Sequence, residues 1–187
     1  MIVVGICGSP RKNGNTEILL DKALEGAASQ GAKTVKVVLN RLDFVPCQEC
    51  AVVRDDGTCK VKDDFQGLYE KIRRSDAVIV ASPIFFGSLS AQTKMMIDRF
   101  QCHWRARYIL KVRPFPEKKR ACFISVEAST RRDFFENAKS IIRNFFATIN
   151  AGYDGELFVT GVDEKGRVSK RRESLIQAFE LGRKIAS

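Results

Sequence analysis

Ile2-Val3-Val4-Gly5-Ile6-Cys7-Gly8-Ser9-Pro10-Arg11-Lys12-Asn13-Gly14-Asn15-Thr16 decides how this chain is read. It starts as an apolar run and ends in small, polar, turn-forming residues. Ile18, Leu19, Lys22, Ala23 and Gly26 then recur at helical spacing. The stretch is therefore strand, loop, helix, with the loop at the carboxyl end of the strand, where open α/β sheets bind ligands. Gly8 and Gly14 would let the backbone approach a ligand closely. Ser9, Asn13, Asn15 and Thr16 offer donors, and Asn15 or Thr16 can cap the helix. Free N–H groups at a helix start attract an anion, and Arg11 adds a fixed cation. The loop reads as a phosphate cradle; the plainer reading is a loop that only joins a strand to a helix.

Two nucleotide-binding patterns fail here. A Walker loop needs a second glycine followed by Lys and a hydroxyl residue, but Asn13 stands five residues after Gly8 and no hydroxyl follows Lys12. A dinucleotide fingerprint needs its first two glycines two apart, and Gly5 and Gly8 are three apart. A loop rich in Ser, Asn and Thr with few obligatory glycines suits a terminal monophosphate better.

Working outward, the 187 residues are expected to form one domain spanning 1–187, long enough to bury a full core. No stretch is long and apolar enough to cross a bilayer. The first residues enter a strand directly, so no signal peptide and a cytoplasmic protein are expected. Six cysteines then read as thiols, metal ligands or redox groups sooner than as disulfides. The net charge of +10 gathers around Arg105–Arg120, Arg131–Arg132 and Lys165–Arg172. It would suit acidic proteins or phosphorylated ligands, and otherwise reads as solvated surface. Nucleic acid is disfavoured, because no nucleic-acid motif accompanies the charge and most aromatics sit inside apolar patterns.

Strands are expected at Ile2–Cys7, Thr34–Leu39, Ala77–Ala81, Arg120–Val126 and Glu156–Thr160. Helices are expected near Thr16–Ser29, Asp64–Arg74, Ser90–Arg105, Arg132–Ile149 and Ser169–Ile185. Residues 40–63 form a long irregular insert with three cysteines. Regular alternation of strand and helix means a parallel sheet covered on both faces. With right-handed crossovers, the chain fits a doubly wound five-stranded α/β sheet in the flavodoxin-like order 2-1-3-4-5. The switch point lies between the first and third strands, so the loops after them share one crevice.

The second of those loops is Ser82-Pro83-Ile84-Phe85-Phe86-Gly87-Ser88-Leu89-Ser90. Two adjacent phenylalanines in a short exposed loop need a partner. A flat aromatic ligand would supply one, and Gly87 would permit close backbone approach. A phosphate cradle facing an aromatic platform describes a flavin mononucleotide site.

Gly8–Thr16 together with Ser82–Arg99 resembles the paired signatures of the NADPH-dependent FMN reductase family, and more closely its iron–sulfur flavoprotein branch. The resemblance implies bound FMN, a flavodoxin-like fold and a homodimer or dimer of dimers. It implies that Ser9, Arg11, Asn15 and Thr16 hold the phosphate. Pro83, Ile84, Phe85, Phe86, Gly87 and Ser88 would line the ribityl chain and ring. The loop Glu127-Ala128-Ser129-Thr130 would close the far side, although it lacks the glycine-bearing turn expected there.

Cys47, Cys50 and Cys59 resemble three of the four cysteines of that branch's cluster-binding insert, but Val53 stands in the remaining place. Valine cannot ligate iron, and a [4Fe–4S] cluster normally takes four thiolates. The expectation is that the cluster is lost. The alternatives are a fourth ligand from solvent, another chain or a distant residue, or another metal such as zinc. Cys102 and His103 are the only distant pair considered, and no metal ligand is assigned. A Cys47–Cys50 or Cys50–Cys59 disulfide is disfavoured in the cytosol. Cys7 and Cys122 read as core, His103 as a surface histidine, and Met95 and Met96 as core or dimer interface.

The resemblance implies an oxidoreductase taking electrons from NAD(P)H through FMN to a flavin, quinone or iron–sulfur partner. The flavin does the chemistry, so no catalytic side chain is assigned. The alternative is an electron carrier that docks acidic partners such as ferredoxin and does not itself turn over NAD(P)H.

Overall fold

In a computed structural model that describes residues 1–50 and 57–187, β1 (Ile2–Cys7) lies between β2 (Lys33–Val38) and β3 (Ala77–Phe85) and is parallel to both. β5 (Lys119–Val126) pairs with the other side of β3, and β6 (Ala151–Val159) with β5, again parallel. Short β4 (Ser88–Leu89) turns back antiparallel on the end of β3. Apart from that spur, the order β2-β1-β3-β5-β6 is the doubly wound arrangement expected from the sequence.

The continuous apolar run of β3 is explained by two covered faces. Val78 and Val80 point to one side, packed with Phe65, Leu68 and Ile72 of α2 (Phe65–Arg74) and Phe135, Ile142 and Phe145 of α5 (Asp133–Thr148). Ile79 and Ala81 point to the other, packed with Leu19, Leu20 and Ala23 of α1 (Asn15–Ala28) and Ala178 and Ile185 of α6 (Arg172–Ala186). Helix α6 approaches α1 so closely that a Cβ on Gly182 would fall 1.7 Å from the Ala23 carbonyl oxygen.

Several boundaries differ from expectation. The segment 82–88 is not a plain loop: Ser82 and Pro83 pair with Ser125 and Val126, so β3 runs on to Phe85. Phe86 and Gly87 then make the two-residue turn into β4 at φ 49° and 73°. Two positive φ angles suit a type I′ hairpin turn, which follows the sheet's twist. The helix expected over Ser90–Arg105 is two, α3 (Ala91–Arg99) and α4 (Gln101–Tyr108). They break at Phe100, whose φ of −82° and ψ of 4° leave the helical well. Its ring is held edge-on against Phe65, Tyr69 and Phe145. β6 starts at Ala151 rather than Glu156, with an irregularity opposite Ala121 and Cys122; Gly152 and Gly155 hide this strand from propensity. A short 3₁₀ turn, Arg167–Lys170, occupies the place where the last helix was expected to begin. Gly14 takes the N-cap position of α1, and no side chain caps it, so neither Asn15 nor Thr16 has that role.

Gly8 is the junction of the sheet's two ligand-facing loops. Its N–H donates to the Ala81 carbonyl at 2.7 Å, and its carbonyl accepts from the Ser90 hydroxyl at 2.6 Å. Ser90 also caps α3, accepting from the Thr93 N–H at 3.3 Å. A Cβ on Gly8 would sit 1.8 Å from Thr93 Oγ1. The bare backbone expected to admit a ligand therefore admits Thr93. Overpacking of this kind costs about 1–3 kcal/mol. Gly8→Ala is expected to lower stability by about that much in urea unfolding. Gly8→Ala with Thr93→Ala should lose less than the sum of the two single variants, because the clashing hydroxyl is gone; strict additivity would contradict the contact.

Candidate functional site

The loop after β1 is held open by its own polar contacts. The Arg11 N–H donates to Ser9 Oγ at 3.2 Å. Asn13, at φ 54°, donates its N–H to Glu17 Oε2 at 2.6 Å. Glu17 is buried, and Lys36 Nζ donates to its other oxygen at 3.1 Å. Burial alone would raise the Glu17 carboxyl, but the Asn13 N–H and Lys36 outweigh it and hold the group below its usual range. The first helical bond of α1 runs from the Ile18 N–H to the Gly14 carbonyl. The N–H groups of Asn15, Thr16 and Glu17 precede it and have no carbonyl within the helix to meet. Glu17 occupies the dipole's positive end, and Lys36 offsets its charge.

Arg11 and Asn15 reach across to the turn after β6. Arg11 Nη1 donates to the Asp163 carbonyl at 2.9 Å. Asn15 Nδ2 donates to the Glu164 carbonyl at 2.9 Å, and its Oδ1 accepts from the Val168 N–H at 3.1 Å. The Asn15 amide thus positions this turn, while its backbone N–H faces no helical acceptor.

These parts line one cleft. Ser9, Arg11, Asn15 and Thr16 line one side; Pro83, Ile84 and Phe85 line the other. Seven of the expected residues are therefore brought together. Phe86, Gly87 and Ser88 lie beyond that wall in the hairpin, where the Phe86 ring is fully exposed and the Gly87 carbonyl accepts from Asn137 Nδ2 at 2.9 Å. Val126, Ala128, Val162 and Asp163 complete the lining. Ala128 belongs to the loop expected to close the far side. Val126 was within reach of sequence reasoning, since the strand order sets β5 beside β3. Val162 and Asp163 had no signal beyond a turn composition. Next to Ala128, Glu127 is buried; its Oε1 accepts from the Ser129 hydroxyl and its Oε2 has no partner among the described residues.

A second cavity lies at the cysteine-bearing segment. Cys47, Cys50 and Cys59 line it together with Cys102 of α4 and with Arg99 at the end of α3. Val53 lies outside the described residues. Arg99 is 1% exposed, and its ion pair with Asp63 fastens the segment to the core, with Nη1–Oδ2 at 2.6 Å and Nη2–Oδ1 at 3.1 Å. Nη1 also donates to the Val45 carbonyl at 2.8 Å, and the guanidinium lies over the Phe65 ring. His103 is not on the surface as expected: it is buried against Tyr69, Phe100 and Phe115. Burial pushes the Cys102 thiol up to about 11. Cys7 and Cys122 are core residues, as expected, with thiols pushed up by burial to about 11 and about 12. Met96 is fully buried.

The sequence profile of the NADPH-dependent FMN reductases matches residues 1–150. The chain belongs to this family. An iron-sulfur flavoprotein of Methanosarcina thermophila is 39% identical over 111 residues, covering 59% of this chain and 58% of the relative. Another, from Methanocaldococcus jannaschii, is 30% identical over 148 residues, 78% of this chain and 71% of that one. Against several such relatives the chain spans about half of their length. Among solved structures, a flavone reductase superposes over the whole chain and 62% of its own, with a TM-score of 0.77 at 21% identity, which establishes the shared fold.

The Asp63–Arg99 pair generates a prediction. Burial alone would raise the Asp63 carboxyl, but the Arg99 hydrogen bond and the Val45 N–H hold it below its usual range. A depressed carboxyl contributes stability above its unfolded pKa and loses it as pH falls through the folded value. Removing one partner of a buried pair costs about 3–5 kcal/mol. Asp63→Ala should lose that much at neutral pH in urea unfolding, and its stability should fall less steeply than the wild type's below about pH 4. A wild-type acid profile in the variant would contradict the assignment.

Proposed function

We propose that the cleft binds FMN and that the protein is an NAD(P)H-dependent oxidoreductase passing electrons to a flavin, a quinone or an iron–sulfur partner. One observation carries this reading. A single cleft has the N-terminal turn of α1 and Arg11 at one end and the apolar wall of Pro83, Ile84 and Phe85 at the other. Family membership and relatives named as flavoproteins support it.

In this reading Ser9, Thr16, Arg11 and the backbone N–H groups of Asn15 and Thr16 hold the phosphate. Asn15 acts additionally through the turn it anchors. Pro83, Ile84 and Phe85 flank the ribityl chain and ring, and Phe86, Gly87 and Ser88 contribute from the hairpin. Ala128 and Val162 close the far side and keep water from it. The unpaired Glu127 Oε2 is an acceptor beside that wall for a ring N–H. When bound, FMN supplies the two-electron chemistry, and the protein positions it. No side chain in the cleft is required as acid or base, so no catalytic residue is assigned.

The net charge of +10 suits an acidic protein acceptor. Exposed Trp104, Tyr108, Ile109 and Leu110, at the end of α4, support a homodimer contact. We read residues 1–187 as one domain, with 40–63 as its insert, and place its work in the cytoplasm on cysteine usage. Among the described residues no helix is long and apolar enough to cross a membrane.

Anaerobically purified protein, loaded with FMN, should show flavin absorbance that bleaches on adding NADH or NADPH. Bands that persist with both nucleotides, yet bleach with reduced ferredoxin, would overturn the NAD(P)H assignment in favour of a carrier. Protein that takes up no FMN would overturn the reading as a whole.

A further inference from the structure

The end of α4 holds apolar side chains on the surface. The Ile109 and Leu110 N–H groups donate to the Arg105 carbonyl at 2.9 and 3.0 Å, and the Val112 N–H donates to the Ala106 carbonyl at 2.9 Å. These bonds close the last turn of the helix with backbone alone. Lys111 carries the chain round at φ 60°, a region that residues other than glycine rarely adopt. Phe115 then returns to the core against Phe100 and His103. Between these anchors Trp104, Tyr108, Ile109, Leu110 and Val112 stay exposed, Ile109 by 57%. Five such side chains in nine consecutive positions (104–112) call for a partner.

The charge of the stretch says which partner. Arg105, Arg107, Lys111 and Arg113 are interleaved with the apolar residues, and no Asp or Glu stands between Asp98 and Glu117. The polar contacts of this segment go to backbone: Arg107 Nη1 donates to the Ala147 carbonyl, and Lys111 Nζ donates to the Tyr108 carbonyl at 2.8 Å. Arg107, Lys111 and Arg113 also line one cavity with Tyr108 and Asn150, and no carboxylate lines it.

A second copy of the chain would cover the apolar residues but would set this cationic patch against itself. An anionic lipid surface meets both halves of the patch. Aliphatic side chains enter the boundary between headgroups and acyl chains, Trp and Tyr settle at headgroup level, and Lys and Arg meet the phosphates. Mobile headgroups also fit cations on an irregular turn, where the carboxylates of a folded acidic protein would have to match each position. Lipid and a second copy would compete for this face, and the charge favours lipid.

We propose that the segment Trp104–Arg113 docks the protein on an anionic lipid bilayer. Ile109, Leu110 and Val112 enter the headgroup–acyl boundary, and Arg107, Lys111 and Arg113 hold lipid phosphates. The protein lies on the bilayer: among the described residues no helix is long and apolar enough to cross it. The proposal uses no residue of the cleft and stands apart from the flavin reading.

Trp104 is the only tryptophan of the chain, so the wild type reports on its own patch. The full chain is mixed with vesicles of phosphatidylcholine alone, or of phosphatidylcholine with an equal part of phosphatidylglycerol. With the mixed vesicles it should sediment, its Trp104 emission should shift to the blue, and iodide should quench that emission less. Binding should weaken as salt rises, and phosphatidylcholine alone should bind little. Lys111→Gln with Arg113→Gln should weaken binding about twentyfold, at about fivefold for each cation. Lys165→Gln with Lys170→Gln removes the same charge elsewhere and should weaken it far less. Ile109→Ser with Leu110→Ser should also weaken it, with the urea midpoint unchanged because both side chains are exposed. The proposal is overturned by a wild type that ignores the mixed vesicles, by equal binding to the two lipids, by binding without a Trp104 shift, or by equal losses in the two charge pairs. A dimer in which Trp104 is already shielded from iodide, and stays so with vesicles, would overturn it in favour of a second copy.

Discussion

Ser90 and Thr93 meet the bare backbone of Gly8, and the geometry of the cleft depends on that contact. The Ser90 hydroxyl holds the Gly8 carbonyl while its oxygen caps α3. The loop after β1, the end of β3 and the start of α3 are thereby fixed to one another. A parallel sheet with its switch point between β1 and β3 brings the two loops into the same region. The missing Cβ sets how near they come. A second anchor, the Asn15 amide on the turn after β6, brings in the third side.

The cysteine-bearing segment is attached by a different device. Beyond Phe44, whose ring packs on Phe65, a buried arginine holds residues 43–50. Arg99 reads the Val45 carbonyl and the Asp63 carboxylate at once, from a helix end packed in the aromatic core. Burying a guanidinium is costly unless it is fully paired. Its Nε, buried and with no partner among the described residues, is therefore the local feature most in need of explanation. Both cavities follow the same pattern: a rigid core element presents polar groups that its own fold does not consume.

The sequence made the sheet legible because β1, β3 and β5 are near-continuous apolar runs and the helices between them keep their period. The cradle was legible because small polar residues follow a buried strand directly. Two features escaped for physical reasons. The hairpin at Phe86-Gly87 depends on a phenylalanine at positive φ, a conformation that bulky residues rarely adopt. The break at Phe100 is set by ring packing that no local propensity encodes. Cys102, the distant cysteine the sequence singled out beside His103, is brought by tertiary structure into the cavity that Cys47, Cys50 and Cys59 line. His103 misled because a lone histidine in a polar-looking helix gives no sign of the three aromatic rings that bury it.

The most direct test of the central claim, that the start of α1 and Arg11 bind a terminal phosphate, is to titrate apo-protein with FMN and with riboflavin by flavin fluorescence. The two ligands share the ring and ribityl chain and differ only in the phosphate. The account predicts that FMN binds at least about tenfold more tightly, a difference of about 1.4 kcal/mol, and that the gap narrows as salt rises. Equal affinity for the two would contradict it.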